Sequence, residues 1–163
     1  MNSIKQLEVL YANKLVGRLA LTKDGLCAFE YSAEWLSSGI SISPFELPLQ
    51  SGVFIAKPRP FEGGFGVFDD CLPDGWGLLI LDRYLQQKGI NPRTLTLLDR
   101  LAFVGSTGRG ALEFRPDNSV TTKQDYADFE KLALEAERIL DSDDYTGEGI
   151  EEFQNRGGSP CTT

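Results

Sequence analysis

The feature that most constrains the fold is the stretch of residues 68–84, where acidic residues and a proline precede a long apolar run. This order is typical of a helix start, because the first amides of a helix favour nearby carboxylates and proline has no amide hydrogen to satisfy. We therefore predict a helix that begins near Pro73 or Asp74 and ends at Lys88-Gly89, where a cation precedes a glycine. Its apolar residues form one face and its flanks, which indicates a core helix: Leu78, Ile80, Leu81, Tyr84 and Leu85.

The first turn of this helix contains two glycines, Gly75 and Gly77, on either side of Trp76. Each glycine costs about 1 kcal/mol of helix stability relative to alanine, so the pair suggests that something approaches the backbone closely. A tight packing corner is the favoured interpretation, and a ligand site is the alternative.

Composition fits one domain, or one domain with an appendage. The three cysteines of the 163-residue chain are far apart and form no CxxC pair, which indicates neither a disulfide framework nor a zinc site. The sequence contains no signal-peptide core and no apolar run near the roughly 20 residues of a membrane-spanning helix. We therefore expect a soluble cytoplasmic protein with no membrane partner.

Charge and residue types exclude several functions. Residues 1–116 contain twelve basic and twelve acidic residues, whereas residues 117–163 contain four and twelve, so the second part carries the whole net charge of −8. No basic cluster is present that could displace counterions from phosphates, so we expect no direct binding to nucleic acid. The chain has no histidine, which excludes imidazole bases, Ser-His and Cys-His pairs and histidine metal sites.

The remaining pattern predicts an α+β fold, with a small antiparallel sheet, a helical hairpin and a C-terminal amphipathic helix. Residues 7–31 form three apolar runs separated by turn residues, which predicts a meander. Prolines in residues 40–49 indicate an edge strand or extended loop, and residues 50–66 read as a covering loop. A second helix follows at residues 95–104, a strand at 111–116 pairs with the N-terminal sheet, and residues 125–141 form the amphipathic helix.

Three local clusters could carry chemistry, and each has a simpler explanation. The glycine-rich residues 105–110 lie between a helix and a strand, the reverse of the order in phosphate loops, so we interpret them as a turn. Asp69 and Asp70 could hold a metal together with Asp74, but we interpret all three as capping charges at the helix start. Ser159, after Gly157-Gly158, could belong to a phosphate cradle, but no lysine follows it. We therefore assign no catalytic residue and no metal ligand.

Several motifs in sequence order resemble the N-terminal region of the HipA family of serine/threonine kinase toxins. They lie at residues 13–19, 43–49, 72–77, 81–83, 99–105 and 108–116, and the similarity covers most of residues 7–140. The motif residues to which we assign structural roles are Leu72, Pro73, Asp74, Gly75, Trp76, Gly77, Val104, Gly105, Gly110, Ala111 and Leu112.

This resemblance implies a role in a toxin–antitoxin system of the kind linked to bacterial persistence. In the family, the N-terminal module packs on the kinase core and takes part in binding a helix-turn-helix antitoxin. The kinase core carries ATP, magnesium and the catalytic residues. The resemblance therefore implies no cofactor for this chain, and ATP and magnesium only if it is joined to such a core.

The resemblance also implies three segments. Residues 1–116 are similar to the N-terminal subdomain, 117–155 form an acidic helical segment leading toward a kinase core, and 156–163 resemble a truncated start of the Gly-rich loop. Ser159 falls on the serine that such kinases autophosphorylate, although Cys161-Thr162-Thr163 departs from the family pattern. The chain is then a fragment, a frameshifted gene or a natural stand-alone protein.

The leading hypothesis is a noncatalytic HipA-like N-terminal module that docks on a kinase core, an antitoxin or both. One alternative is a truncated kinase fragment with residual nucleotide binding at Ser159, and another is a stand-alone, antitoxin-like inhibitor of a separate kinase. A third reading, a small acidic enzyme, depends on the carboxylate pair Asp69 and Asp70 alone.

Overall fold

The computed structural model of the chain describes residues 3–108, 110–119 and 130–134. The strands are β1 Gln6–Tyr11, β2 Lys14–Leu21, β3 Cys27–Tyr31, β4 Val53–Ile55 and β5 Leu112–Arg115. The helices are α1 Ala33–Leu36, α2 Gly66–Asp69, α3 Gly75–Gln87 and α4 Leu97–Val104, with a 3-10 turn at Pro92–Thr94. The chain divides into two compact units, one of Met1–Leu72 and Arg93–Val120 and the other of Pro73–Pro92 and Thr121–Thr163.

The first unit contains a five-stranded sheet in the order β4-β3-β2-β1-β5, in which every neighbouring pair is antiparallel. The first turn of the meander lies between β1 and β2, where Ala12 and Asn13 both adopt positive φ, as a tight two-residue turn requires. β5 joins the N-terminal sheet, as predicted, and it does so by pairing with β1, with Phe114 opposite Val9. The α+β class is therefore confirmed.

One edge of the sheet differs from the prediction. Of the two alternatives predicted for residues 40–49, the edge strand does not form, and the segment is a loop with an isolated bridge between Ser43 and Leu47. The edge strand is β4, which lies within the segment predicted as a loop and pairs Phe54 with Phe29 of β3. A strand of three residues is too short to show an alternating pattern in the sequence. β4 is stabilised by its pairing with β3, which the local sequence does not indicate.

The core of the first unit lies on one face of the sheet. Three fully buried phenylalanines form its centre: the Phe29 and Phe68 ring centroids are 5.5 Å apart, and those of Phe68 and Phe114 are 6.3 Å apart. Gly17 of β2 lies over the Phe29 ring, and a Cβ at this position would approach a ring carbon to 2.7 Å. Sheet and ring thus pack in contact only because this position has no side chain.

In the second unit, α3 begins and ends as predicted. Asp74 is the N-cap, and Gly89, at φ +76°, follows the C-cap Lys88. The predicted apolar face is buried at Ile80, Leu81, Tyr84 and Leu85, and half-buried at Leu78.

The predicted C-terminal helix falls mostly outside the described residues, of which 130–134 are helical. The predicted segments 117–155 and 156–163 likewise lie almost entirely outside them, so these boundaries stay predictions. Within the described part of the chain, no helix has the length and apolar character needed to cross a membrane.

Candidate functional site

The start of α3 is the first place where predicted motif residues meet. Asp74 Oδ1 accepts a hydrogen bond from the Gly77 amide at 3.0 Å, which satisfies one of the unpaired amides of the first turn. The close approach predicted at Gly77 comes from Pro73 and the N-cap Asp74, because a Cβ at position 77 would lie 2.9 Å from Pro73 Cβ and 3.3 Å from Asp74 Oδ1. Gly75 is exposed and Trp76 is half-buried. This turn is therefore shaped by its own capping geometry.

The start of α4 contains a buried carboxylate to which the sequence analysis gave no role. Asp99 is 2% exposed and forms a capping box with Thr96, whose amide and hydroxyl lie 2.9 and 2.7 Å from Asp99 Oδ2. Its Oδ1 accepts the Ile4 amide at 2.9 Å, and Ser3 Oγ lies 3.4 Å from Oδ2. Burial alone would raise the pKa of Asp99, but these hydrogen bonds outweigh burial and lower it. Asp99 thus ties the N-terminal segment to α4.

The end of α4 forms a corner made of Gly105, Ser106, Phe114 and Asp117, here called the Gly105 corner. Gly105 adopts φ +51°, and its carbonyl accepts the Phe114 amide at 3.1 Å, which starts β5 beside the helix end. Asp117 Oδ2 accepts the Ser106 amide at 3.0 Å and the Ser106 hydroxyl at 2.6 Å, and Oδ1 accepts the Ser119 amide at 2.9 Å. Although partial burial works in the opposite direction, these bonds lower the pKa of Asp117.

This corner does not fit a nucleotide phosphate. The described part of residues 105–110 leads from the C-terminal end of α4 toward β5, so the helix end next to it carries carbonyls rather than free amides. The Ser106 amide and hydroxyl are both bonded to the Asp117 carboxylate, which places negative charge where a phosphate would have to bind.

The acidic pair before α3 corrects one interpretation. Asp69 is the last residue of α2 and Asp70 is its C-cap, so both lie at a helix C-terminus and do not cap α3. Burial raises the pKa of Asp69, and the negative charges of Asp70 and Glu62 add to this effect. Within the described residues there is no group of three or more potential metal-binding side chains, so the pair finds no further ligand there.

The next residue in the chain, Cys71, has an unreactive thiol. Cys71 is half-buried and donates to the Val67 carbonyl at 3.2 Å. Burial, with a smaller contribution from the charge of Asp70, raises the pKa of Cys71 to about 11. A thiol with this pKa is protonated at neutral pH and is a poor nucleophile.

The predicted motif residues fall into both units. The first unit holds Leu72, Val104, Gly105, Gly110, Ala111 and Leu112, and the second holds Pro73, Asp74, Gly75, Trp76 and Gly77. Val104 and Leu112 are buried, Leu72 packs against the core, and Gly110 and Ala111 are exposed. Gly157, Gly158 and Ser159 lie outside the described residues.

Two residues that hold the fold were missed, Asp99 and Asp117. The spacing Thr-x-x-Asp before an apolar run could have indicated the capping role of Asp99. No comparable signal exists for Asp117, whose bond to Ser106 spans eleven residues.

The comparison with protein-family models gives a match. The model of the family described as HipA N-terminal domain matches residues 7–115, which is 109 of the 163 residues. The matched range includes the sheet apart from Gln6, the first residue of β1, and every motif residue from 72 to 112. A search of curated proteins found no match.

Proposed function

Since the chain belongs to the HipA N-terminal domain family, we propose that it is a noncatalytic module that docks on a HipA-like serine/threonine kinase core and on a helix-turn-helix antitoxin. The single observation that carries this proposal is the family match across residues 7–115. On this proposal the protein acts in the cytoplasm as part of a toxin–antitoxin system linked to persistence. ATP and magnesium then belong to the kinase core.

Physical support comes from the roles of the motif residues in the described structure. Asp74 caps α3, and Gly105 forms the corner between α4 and β5. Residues engaged in this way stabilise a scaffold and leave no obvious reacting group. A scaffold of this kind performs its function through the residues that it leaves exposed.

The most conspicuous of these is Phe45, whose side chain is 100% exposed. It lies in the turn of residues 43–47, where the Leu47 amide donates to the Ser43 carbonyl at 2.7 Å. The Leu47 carbonyl in turn accepts Tyr31 Oη at 2.7 Å and Ser41 Oγ at 2.8 Å. The turn is thus fixed to the core strand β3 before any partner binds.

A second tie fixes the same turn. Glu46 Oε2 accepts the Gly66 amide at 2.9 Å, at the start of α2. An exposed aromatic side chain on a fixed backbone binds at a small cost in conformational entropy, and aromatic anchors supply much of the binding energy of protein interfaces. We therefore assign Phe45 as an anchor for the docking partner.

The test is a binding experiment with the full chain and the HipA-like kinase encoded nearest to it. Isothermal titration calorimetry measures the Kd for the kinase core, and Phe45→Ala is expected to weaken binding by about 30-fold, the effect of a typical hot spot. Val53→Ala serves as the control, because Val53 is also exposed (60%) but lies on β4. Absence of binding by the folded full chain to both kinase core and antitoxin refutes the proposal.

A kinase assay separates docking from the alternative of an antitoxin-like inhibitor. The full chain is added to the kinase core, and autophosphorylation is followed with time. Unchanged activity with measurable binding supports docking alone, whereas loss of activity with the same Phe45 dependence favours inhibition. Titration of the chain alone with ATP tests the nucleotide-binding alternative, for which we expect no heat of binding.

A further inference from the structure

The two edges of the sheet differ in how they are protected from pairing with another chain. At the β5 edge, an outward amide is already partnered, because the Phe114 amide donates to the Gly105 carbonyl at 3.1 Å. β5 also carries the charged side chains Glu113 and Arg115, and Pro116 follows it. Charges and prolines are the usual protection of an edge strand. The other edge strand, β4, contains neither within its three residues.

The backbone of β4 directs two of its residues toward the open edge. The Ala56 amide donates to the Cys27 carbonyl at 2.8 Å, and the register continues with Ile55 opposite Ala28. In an antiparallel pair, successive residues direct their N–H and C=O groups alternately toward and away from the neighbouring strand. Val53 and Ile55 therefore direct theirs away from β3, and within the described part of the chain these groups make no hydrogen bond.

The side chains of the same two residues are open to solvent. Val53 and Ile55 are each 60% exposed, on the opposite sheet face from the half-buried Phe54. Both are apolar and β-branched, and such side chains pack well against cross-strand neighbours. β4 thus presents both the hydrogen-bonding groups and the side chains that a further strand would contact.

Positive charge follows the strand. Lys57 and Arg59 are exposed, and neither forms an ion pair within 4.0 Å among the residues that the structure describes. Lys57 comes two positions after Ile55 and precedes Pro58, which favours extended backbone, so it continues the row of Val53 and Ile55. A strand antiparallel to β4 therefore places beside Lys57 the residue that comes two positions before its partner for Ile55.

We propose that β4 binds an extended segment of another protein as a sixth, antiparallel strand of the sheet. The segment carries β-branched apolar residues opposite Ile55 and Val53 and an acidic residue opposite Lys57, in the order acidic, any, apolar, any, apolar. In this mode of recognition, backbone hydrogen bonds supply affinity and alternate side chains supply specificity. A second copy of β4 matches less well, because pairing about Phe54 places Ser51, which has no charge, opposite Lys57.

The test uses the full chain, isotope-labelled for two-dimensional NMR, and a capped peptide of sequence Glu-Thr-Val-Thr-Val-Thr. In the proposed register, the two valines of the peptide exchange hydrogen bonds with Val53 and Ile55. We expect saturable shifts of these two amide signals with a Kd on the order of 1 mM, because a short flexible peptide loses much conformational entropy on binding. The amide signal of Phe114 at the other edge should not move.

Methylated peptides separate strand addition from contact through side chains alone. N-methylation of both valines removes the amide hydrogens that face β4, and it should weaken binding by more than about tenfold. N-methylation of the threonine between them is the matched control, because its amide points away from β4 and its loss should leave the Kd nearly unchanged.

A charge exchange tests the acidic position. Lys57→Glu should weaken binding of this peptide about fivefold, and a peptide that begins with lysine should bind the variant more tightly than the original peptide does. Lys14→Glu is the matched control, since Lys14 is also exposed but lies at the start of β2. Phe45→Ala should leave peptide binding unchanged because Phe45 is not part of β4, so this inference and the proposed docking function can fail separately.

Shifts at both amides, their loss when the valines are methylated and the exchanged charge preference together support the proposal. Absence of saturable shifts at Val53 and Ile55 up to about 10 mM peptide overturns it, as do equal effects of the two methylation patterns. Shifts of the same amides with protein concentration alone indicate that two copies pair through β4, and this outcome also overturns it.

Discussion

The substitution Gly105→Ala tests the Gly105 corner, because it should destabilise the fold in two ways, through backbone strain and through a collision with Asp117. A non-glycine residue at φ +51° is strained by about 1–2 kcal/mol. A Cβ would also collide with the Asp117 carboxylate, so the side chain of Asp117 must move and lose its bonds to Ser106 and Ser119. Three hydrogen bonds near the surface contribute about 1.5–3 kcal/mol together. We therefore expect a loss of roughly 2.5–5 kcal/mol in the free energy of unfolding, or about 5–20 °C in Tm for a chain of this size.

The control is Gly39→Ala, since Gly39 has φ +74° and open space around its Cβ position. Urea denaturation should show only the backbone cost there, about 1–2 kcal/mol. The double variant Gly105→Ala/Asp117→Ala removes the collision, so its loss of stability should be smaller than the sum of the single losses by more than about 1 kcal/mol. Additive losses, or a Gly105→Ala variant no less stable than Gly39→Ala, would refute this account of the corner.

Three further predictions concern the core, a buried carboxylate and the start of α3. Phe68→Ala should cost about 3–5 kcal/mol in urea denaturation, because Phe68 is fully buried, whereas Phe45→Ala should change stability by less than about 0.5 kcal/mol. Asp99 has a folded-state pKa below its ordinary value of 3.8, so its contribution is complete above that value and is lost as the pH falls through the folded pKa. Thermal melts between neutral pH and pH ~2 should therefore fall less steeply for Asp99→Asn than for wild type. Trp76→Ala should cost about 1–2.5 kcal/mol in urea, because the indole is half-buried, and a core-like loss of about 4 kcal/mol would contradict that placement.

Sequence predicted those parts of the fold whose causes are local. The bounds of α3 depend on a cap at Asp74 and a left-handed stop at Gly89, and both signals lie within a few residues of the helix ends. The meander likewise depends on tight turns such as Ala12-Asn13. Local chemistry of this kind can be read without knowing the rest of the structure.

The parts that sequence missed depend on distant contacts. β4 is a strand because it pairs with β3, more than twenty residues earlier in the chain. The assignment of Asp69 and Asp70 to the start of α3 was wrong, because the short helix α2 has no sequence period long enough to detect. The bond from Ile4 to Asp99 spans 95 residues, and no local pattern indicates it.

In this domain, buried side chains stabilise the fold and exposed side chains are available for binding. Phe29, Phe68 and Phe114 are fully buried at the centre of the core, and Gly105 forms the corner from which β5 returns to pair with β1. Because these residues stabilise the fold, a substitution at any of them is expected to change the free energy of unfolding, and any effect on binding would follow from that change. Specificity for a partner must therefore reside in exposed side chains that the core does not use, such as Phe45. Surface substitutions that leave Tm unchanged and abolish association are accordingly the variants that locate the interaction surfaces of this module.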